Sequence, residues 1–110
     1  MKLNKMKCEA CQPGAPPVSD EAATEFKKQI PEWSLIEVEC EKRLERMFEF
    51  PDFANALAFT DRIGELAERN NHHPAILTEW GKVTVQWWTH KINGLHMNDF
   101  IMAAQTDQLV

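Results

Sequence analysis

The 110-residue chain predicts an α+β fold, with helices packed on one face of a four-stranded antiparallel sheet. Three observations predict it. Two segments, WSLIEVECEKRLERMFEF and AILTEWGKVTVQWWTH, alternate apolar and polar residues with the period of two expected of half-buried hairpins. Between them, residues 51–70 place apolar side chains at helical spacing. A shorter helical pattern follows the second hairpin and another precedes the first, so the order is α-β-β-α-β-β-α without internal repeats.

Residues 1–18 carry Pro13, Gly14, Pro16 and Pro17 and read as a flexible N-terminal arm ahead of one domain at 19–110. Ser19, followed by Asp20 and Glu21, is a helix start: a hydroxyl cap with acids at the positive end of the dipole. Ala22, Ala23, Phe26 and Ile30 form the apolar stripe of that helix, which Pro31 ends. In the first hairpin Ile36, Val38 and Cys40 alternate with Glu37, Glu39 and Glu41, and a turn is expected around Glu41–Arg43. Leu44, Phe48 and Phe50 then share a face on which Arg46 is the polar exception. Pro51 suits the first position of the long helix, where a missing N–H costs nothing. Phe53, Ala56, Leu57, Thr60, Ile63, Gly64 and Ala67 form its stripe, and Asn70, Asn71 and Pro74 close it. In the second hairpin a turn at Gly81–Lys82 leads to a strand with Val83, Val85 and Trp87 on one side and Thr84, Gln86, Trp88 and His90 on the other. KINGLHMND reads as a loop, and Asn98 or Asp99 can cap a last helix carrying Phe100, Ile101, Ala103 and Ala104.

Composition narrows the function. Apolar residues make up 44% and charged residues 26%, the balance of a globular domain with one core. A net charge of −5 without a basic run disfavours nucleic-acid binding, which needs a cationic face for the phosphates. No apolar run approaches the roughly 20 residues of a membrane span, and no signal-peptide core follows Met1, so a cytoplasmic protein is expected. Cys8 and Cys11 form a C-x-x-C in the arm and Cys40 stands alone. Three cysteines do not make a disulfide framework, and a pair is two ligands short of a structural zinc site unless histidines or a second chain complete it.

The chemistry concentrates at NNHHPAILTEW, residues 70–80. His72 and His73 sit where the long helix runs into the second hairpin, His90 where that hairpin ends, and Asp99 just past the following loop. Three imidazoles can therefore gather at one end of the fold, with Glu68 and Asp99 as carboxylates and Trp80, Trp87 and Trp88 as flat apolar walls. Imidazole suits proton transfer near neutral pH, and a carboxylate on one ring nitrogen fixes the tautomer. Together these groups fit an acid–base site for a planar substrate. The residues alone leave other readings open. His-His-Pro can be a helix C-terminus in favourable contact with the dipole, and the tryptophans can be core or subunit interface. Zinc fits poorly, because adjacent helical residues point about 100° apart and no H-x-x-x-H pair is present. His96, with no partner in the pattern, reads as surface.

Taken as a string, Glu68, His72-His73-Pro74, Trp80, His90 and Asp99 have the spacing of the pterin-4a-carbinolamine dehydratase motif, and the chain resembles that family over essentially all its length. EWGKVTVQWWTH, GLHMNDFIMAA and the tail's CEAC followed by GAPP are similar to bacterial members. The resemblance implies a dehydratase that eliminates water from 4a-hydroxytetrahydrobiopterin, giving the quinonoid dihydropterin that is reduced and reused by aromatic amino-acid hydroxylases. It implies that His72, His73 and His90 share acid and base duties, and that Glu68, Pro74, Trp80 and Asp99 bind substrate or orient the histidines. It also implies that no metal or organic cofactor is needed and that the chain assembles as a homodimer or homotetramer, the apolar surface of helix 51–70 offering room for such contacts. An aromatic amino-acid hydroxylase is the partner it suggests. A second use of the same fold is as a protein-binding, coactivator-like regulatory module.

Overall fold

The computed structural model describes residues 19–89 and 95–110. In chain order its elements are α1 (Asp20–Lys27), β1 (Ser34–Val38), β2 (Glu41–Glu49), α2 (Phe53–Asn70), β3 (Ala75–Glu79), β4 (Lys82–Trp87) and α3 (Met97–Asp107). The four strands form one antiparallel sheet in the order β1-β2-β4-β3, so the hairpins join through the central β2–β4 pair and α2 crosses from one to the other. This is the α+β architecture expected from the alternating and helical patterns.

The register explains which apolar residues become core. Leu44 pairs with Trp87, Arg46 with Val85 and Phe48 with Val83, and cross-strand partners point to the same face. Leu44, Phe48, Val83, Val85 and Trp87 are all buried there, with Ala56, Phe59 and Ile63 of α2 and Phe100, Ile101 and Met102 of α3. Burying a side chain of this size is worth about 1.5–3 kcal/mol. Phe59 is central, its ring 4.7 Å from Phe48 and 5.0 Å from Phe50. Arg46, the polar exception on this face, sends its guanidinium to Asp107 at 2.7 Å while lying over the Phe48 ring. Asp107 also accepts from Trp33 Nε1 at 2.9 Å, so one carboxylate ties the end of α3 to β2 and to the segment before β1. Burial of that carboxylate outweighs its two donors and raises its pKa above 3.8.

Three boundaries differ from expectation, each for a local reason. The β1–β2 turn is Glu39–Cys40, not Glu41–Arg43, which lies in β2. Both turn residues have positive φ, 49° and 67°, the backbone of a two-residue hairpin turn that normally recruits Asn-Gly. Cys40 is therefore a turn residue, and Ile36 and Val38, paired with Arg43 and Glu41, face away from the Leu44–Phe48 row. Helix α2 is capped by Asp52, which accepts from the Asn55 N–H at 2.8 Å, so Pro51 precedes the cap instead of opening the helix. Helix α3 is capped by His96, with Asn98 and Asp99 inside its first turn.

Candidate active site

The C-terminus of α2 sets the site. Asn71 adopts the left-handed conformation at φ 51°, a region Asn tolerates better than most residues. The Asn71 N–H returns to the Glu68 carbonyl and the His72 N–H to the Ala67 carbonyl at 3.2 Å, the paired bonds of a Schellman ending. This reversal sends the two adjacent histidines into different surroundings.

His72 goes inward and is 8% exposed. Its ring lies parallel to the Trp87 indole, with centroids 5.7 Å apart and planes 6° from coplanar. Nε2 meets Asp99 Oδ1 at 2.7 Å. Asp99 is wholly buried and collects two further donors on Oδ2: the Thr89 hydroxyl at 2.7 Å and the His96 backbone N–H at 2.9 Å. An ionised Asp99 can only accept, so with it the shared hydrogen sits on His72 Nε2, and the neutral ring then has its lone pair on Nδ1. Trp87, whose own Nε1 donates to Thr106, is thus the backing of His72 and part of the core, not a wall facing ligand.

His73 goes outward. Its side chain is 55% exposed and its Nε2 lies 3.3 Å from Glu68 Oε2, five residues back on the last turn of α2. A pair this exposed adds little to stability, but it gives the ring a preferred orientation. His73 borders an open hollow of about 680 Å³ between α2 and the start of β3, together with Thr60, Asp61, Gly64, Glu65, Glu68, Pro74 and Ile76. That volume is in the range of small-ligand sites. Behind it Thr60 and Thr78 share a hydroxyl contact of 2.6 Å that joins α2 to β3.

Of the residues singled out in the sequence, His73, Glu68 and Pro74 border the hollow, while His72 and Asp99 form a buried pair that does not line it. Trp80 lies at the far end of β3, in the β3–β4 turn, 73% exposed and not among the residues lining the hollow. His90 lies outside the described residues, as do Cys8 and Cys11. The sequence pattern marks neither Thr89 nor the capping role of His96. Thr89 is buried and holds Asp99; its hydroxyl, next to His90 at a strand end, was the available signal. His96, read as surface, instead caps α3: its Nδ1 accepts from the Asn98 N–H at 3.1 Å and its own N–H donates to Asp99. Among the described residues, no three His, Cys, Asp or Glu side chains are grouped to hold a metal ion, and no helix is long and apolar enough to cross a membrane.

Comparison with known proteins assigns the family. The family described as "Pterin 4 alpha carbinolamine dehydratase" matches residues 16–109. A protein of Nitrosococcus oceani named "Putative pterin-4-alpha-carbinolamine dehydratase" is 58% identical over 108 residues, covering 98% of this chain and 96% of its own. A protein of Marinobacter nauticus with the same name is 54% identical over 107 residues, 97% of this chain and 96% of that one. Among solved structures, a transcriptional coactivator/pterin dehydratase from Brucella melitensis superposes with a TM-score of 0.76 at 26% identity, covering 86% of this chain and 98% of that one. A pterin dehydratase-like protein described as a RuBisCO assembly factor in the alpha-carboxysome superposes at 0.58, also 26% identical, over 69% of this chain and 88% of that one. The chain therefore belongs to the pterin-4-alpha-carbinolamine dehydratase family of hydro-lyases.

Proposed function

We propose that this dehydratase acts on 4a-hydroxytetrahydrobiopterin by histidine acid–base catalysis and so recycles the cofactor of aromatic amino-acid hydroxylases. The observation that carries this reading is His73 at the edge of an open hollow, with Glu68 on its ring, beside a His72 whose tautomer Asp99 fixes. In the reaction the C4a–O bond breaks, the hydroxyl leaves as water after gaining a proton, and N5 gives up its proton as the C4a–N5 double bond forms. Both transfers suit imidazoles, which are populated in acid and base forms near neutrality. His73 is the accessible ring and faces the substrate. His72 acts from the inner side through Nδ1, and His90 completes the set on the family motif. Pro74 shapes the hollow and Trp80, on its exposed turn, contributes an apolar surface toward the substrate or a neighbouring subunit. The chemistry calls for no metal or organic cofactor. The chain works in the cytoplasm as a homodimer or homotetramer, alongside its hydroxylase.

Stopped-flow absorbance of 4a-hydroxypterin decay with and without the protein tests the reading. His73→Ala should lower the accelerated rate by about 10²-fold or more, since one general acid–base contact is worth roughly 10²–10⁴, and should leave the thermal midpoint unchanged because the side chain is exposed. A wild-type protein that leaves the spontaneous rate untouched would end the proposal. A second reading, a protein-binding regulatory module, draws on the coactivator name carried by the Brucella structure. Recovery of a regulator with a His72/His73 double variant that still complements would favour it.

A further inference from the structure

We infer that His96 is a positioning residue for the proposed chemistry, holding His72 in its working tautomer through Asp99 and the first turn of α3. The inference rests on the dehydratase reading above for its activity readout, but its structural readout stands apart from it.

The chain of contacts is short. His96 has extended backbone angles, φ −104° and ψ 158°, the geometry of a residue that stands just outside a helix while its carbonyl already accepts the first helical bond, here from the Asp99 N–H at 2.9 Å. The imidazole locks that geometry by accepting the Asn98 N–H on Nδ1. With the cap in place, the His96 N–H points back at Asp99 Oδ2 and supplies one of the three hydrogen bonds that fix the carboxylate. The other two come from Thr89 and from His72 itself. Among the described residues, the carboxylate has two supports independent of His72, and one depends on the His96 cap. Losing the cap lets the first turn of α3 fray, frees the carboxylate to rotate about the Thr89 bond, and loosens the acceptor that holds the hydrogen on His72 Nε2. Histidine is an unusual cap. Ser, Thr, Asn and Asp are the common ones, and each offers an oxygen at a similar reach.

The test compares His96→Ala with His96→Ser and His96→Asn in the full-length protein. All three fold, because the cap is one contact at one helix end. His96→Ala should lower kcat about five- to tenfold, tenfold corresponding to about 1.4 kcal/mol, with KM within twofold of wild type. His96→Ser and His96→Asn should restore kcat to within about twofold of wild type, because an oxygen cap serves the same N–H. In ¹⁵N spectra the His72 nitrogens of His96→Ala should move toward the tautomer average, and those of the Ser and Asn variants should keep the wild-type pattern. Unchanged His72 signals and kcat in His96→Ala would overturn the inference. So would failure of both oxygen caps to restore kcat, which would mean the imidazole itself meets substrate, or an effect confined to KM. If the wild-type protein accelerates no dehydration, the functional reading fails, and the ¹⁵N comparison still decides whether His96 positions His72.

Discussion

Replacing Asp99 by Asn is the sharpest perturbation of the site, because it changes one atom and forces a choice. The wild-type carboxylate takes His72 Nε2–H on Oδ1 and two donors, from Thr89 and the His96 backbone, on Oδ2. An amide has one oxygen. Placed toward Thr89 and His96 it keeps two bonds and aims its NH₂ at His72 Nε2. Placed toward His72 it sets the NH₂ against two donors inside a fully buried site, where an unpaired polar group costs about 1–3 kcal/mol. The first arrangement wins, and His72 must then accept at Nε2 and carry its hydrogen on Nδ1. The ring keeps its place on Trp87 and presents a donor where the wild type presents a lone pair.

The magnitudes follow from that arrangement. Bonds to a charged acceptor are worth about 1.5–3 kcal/mol and neutral ones about 0.5–1.5. Converting two of the former and inverting the third costs about 2–4 kcal/mol. A domain of this size holds about 5–15 kcal/mol in all, so the variant stays folded at 25 °C with a lowered urea midpoint. The wrong tautomer removes the His72 contribution to proton transfer, and kcat should fall by about 10²-fold or more. Three measurements check the chain of reasoning: ¹⁵N shifts of His72, a urea titration and stopped-flow dehydration. A variant ring that still carries its hydrogen on Nε2 refutes the account of Asp99. An inverted ring with wild-type kcat refutes the role given to His72.

Three further outcomes are expected elsewhere in the fold. Glu39→Asn with Cys40→Gly should raise stability by about 1–2 kcal/mol, because both residues sit at positive φ where side chains other than Asn and Gly are strained; an unchanged urea midpoint would contradict the turn geometry. Gly81→Ala should lower stability by at least about 1 kcal/mol in the same assay, since φ is 78° and an added Cβ would lie 3.2 Å from the Phe50 carbonyl oxygen. Asp107 binds its proton more tightly in the fold than in the unfolded chain. Its contribution is therefore complete below the unfolded pKa and is lost as pH rises through the raised folded one. Asp107→Asn should remove that decline from a series of urea midpoints begun near pH 3.8 and carried upward, and a decline of equal size in the variant would assign it to another group.

Much of the fold was legible because its periodicities are clean. Helix α2 ends where Asn70 and Asn71 said it would, and the row Val83, Val85, Trp87 is buried as the alternation required. The failures occur where a residue does a task that its type seldom performs. Glu39 and Cys40 make a turn that asks for Asn-Gly, so the sequence pattern places the turn two residues later. His96 caps a helix in place of a hydroxyl or carboxylate, so the residue types point to Asn98 or Asp99 as the start of α3 instead. The sheet order could not be read from alternation at all, since pairing β2 with β4 is a choice between edges and leaves no local mark. The position of Trp87 behind His72 depends on that choice.

The two adjacent histidines raise the question of why a chain would spend two titratable rings on neighbouring positions. On a continued helix they would point about 100° apart into one solvent face. On a strand they would take opposite sides of one sheet. The left-handed Asn71 gives a third result. It ends the helix by turning the chain under it, so that the next residue meets the buried carboxylate of α3 and the one after returns to the exposed last turn of α2. Glu68 thereby reaches His73 within its own helix end, whereas His72 reaches Asp99 across 27 residues of sequence. One ring is held rigidly by tertiary structure and its neighbour loosely by local structure. The proposed elimination, with its two proton transfers, can use that asymmetry: a buried ring to hold geometry, and an exposed one that meets solvent between turnovers.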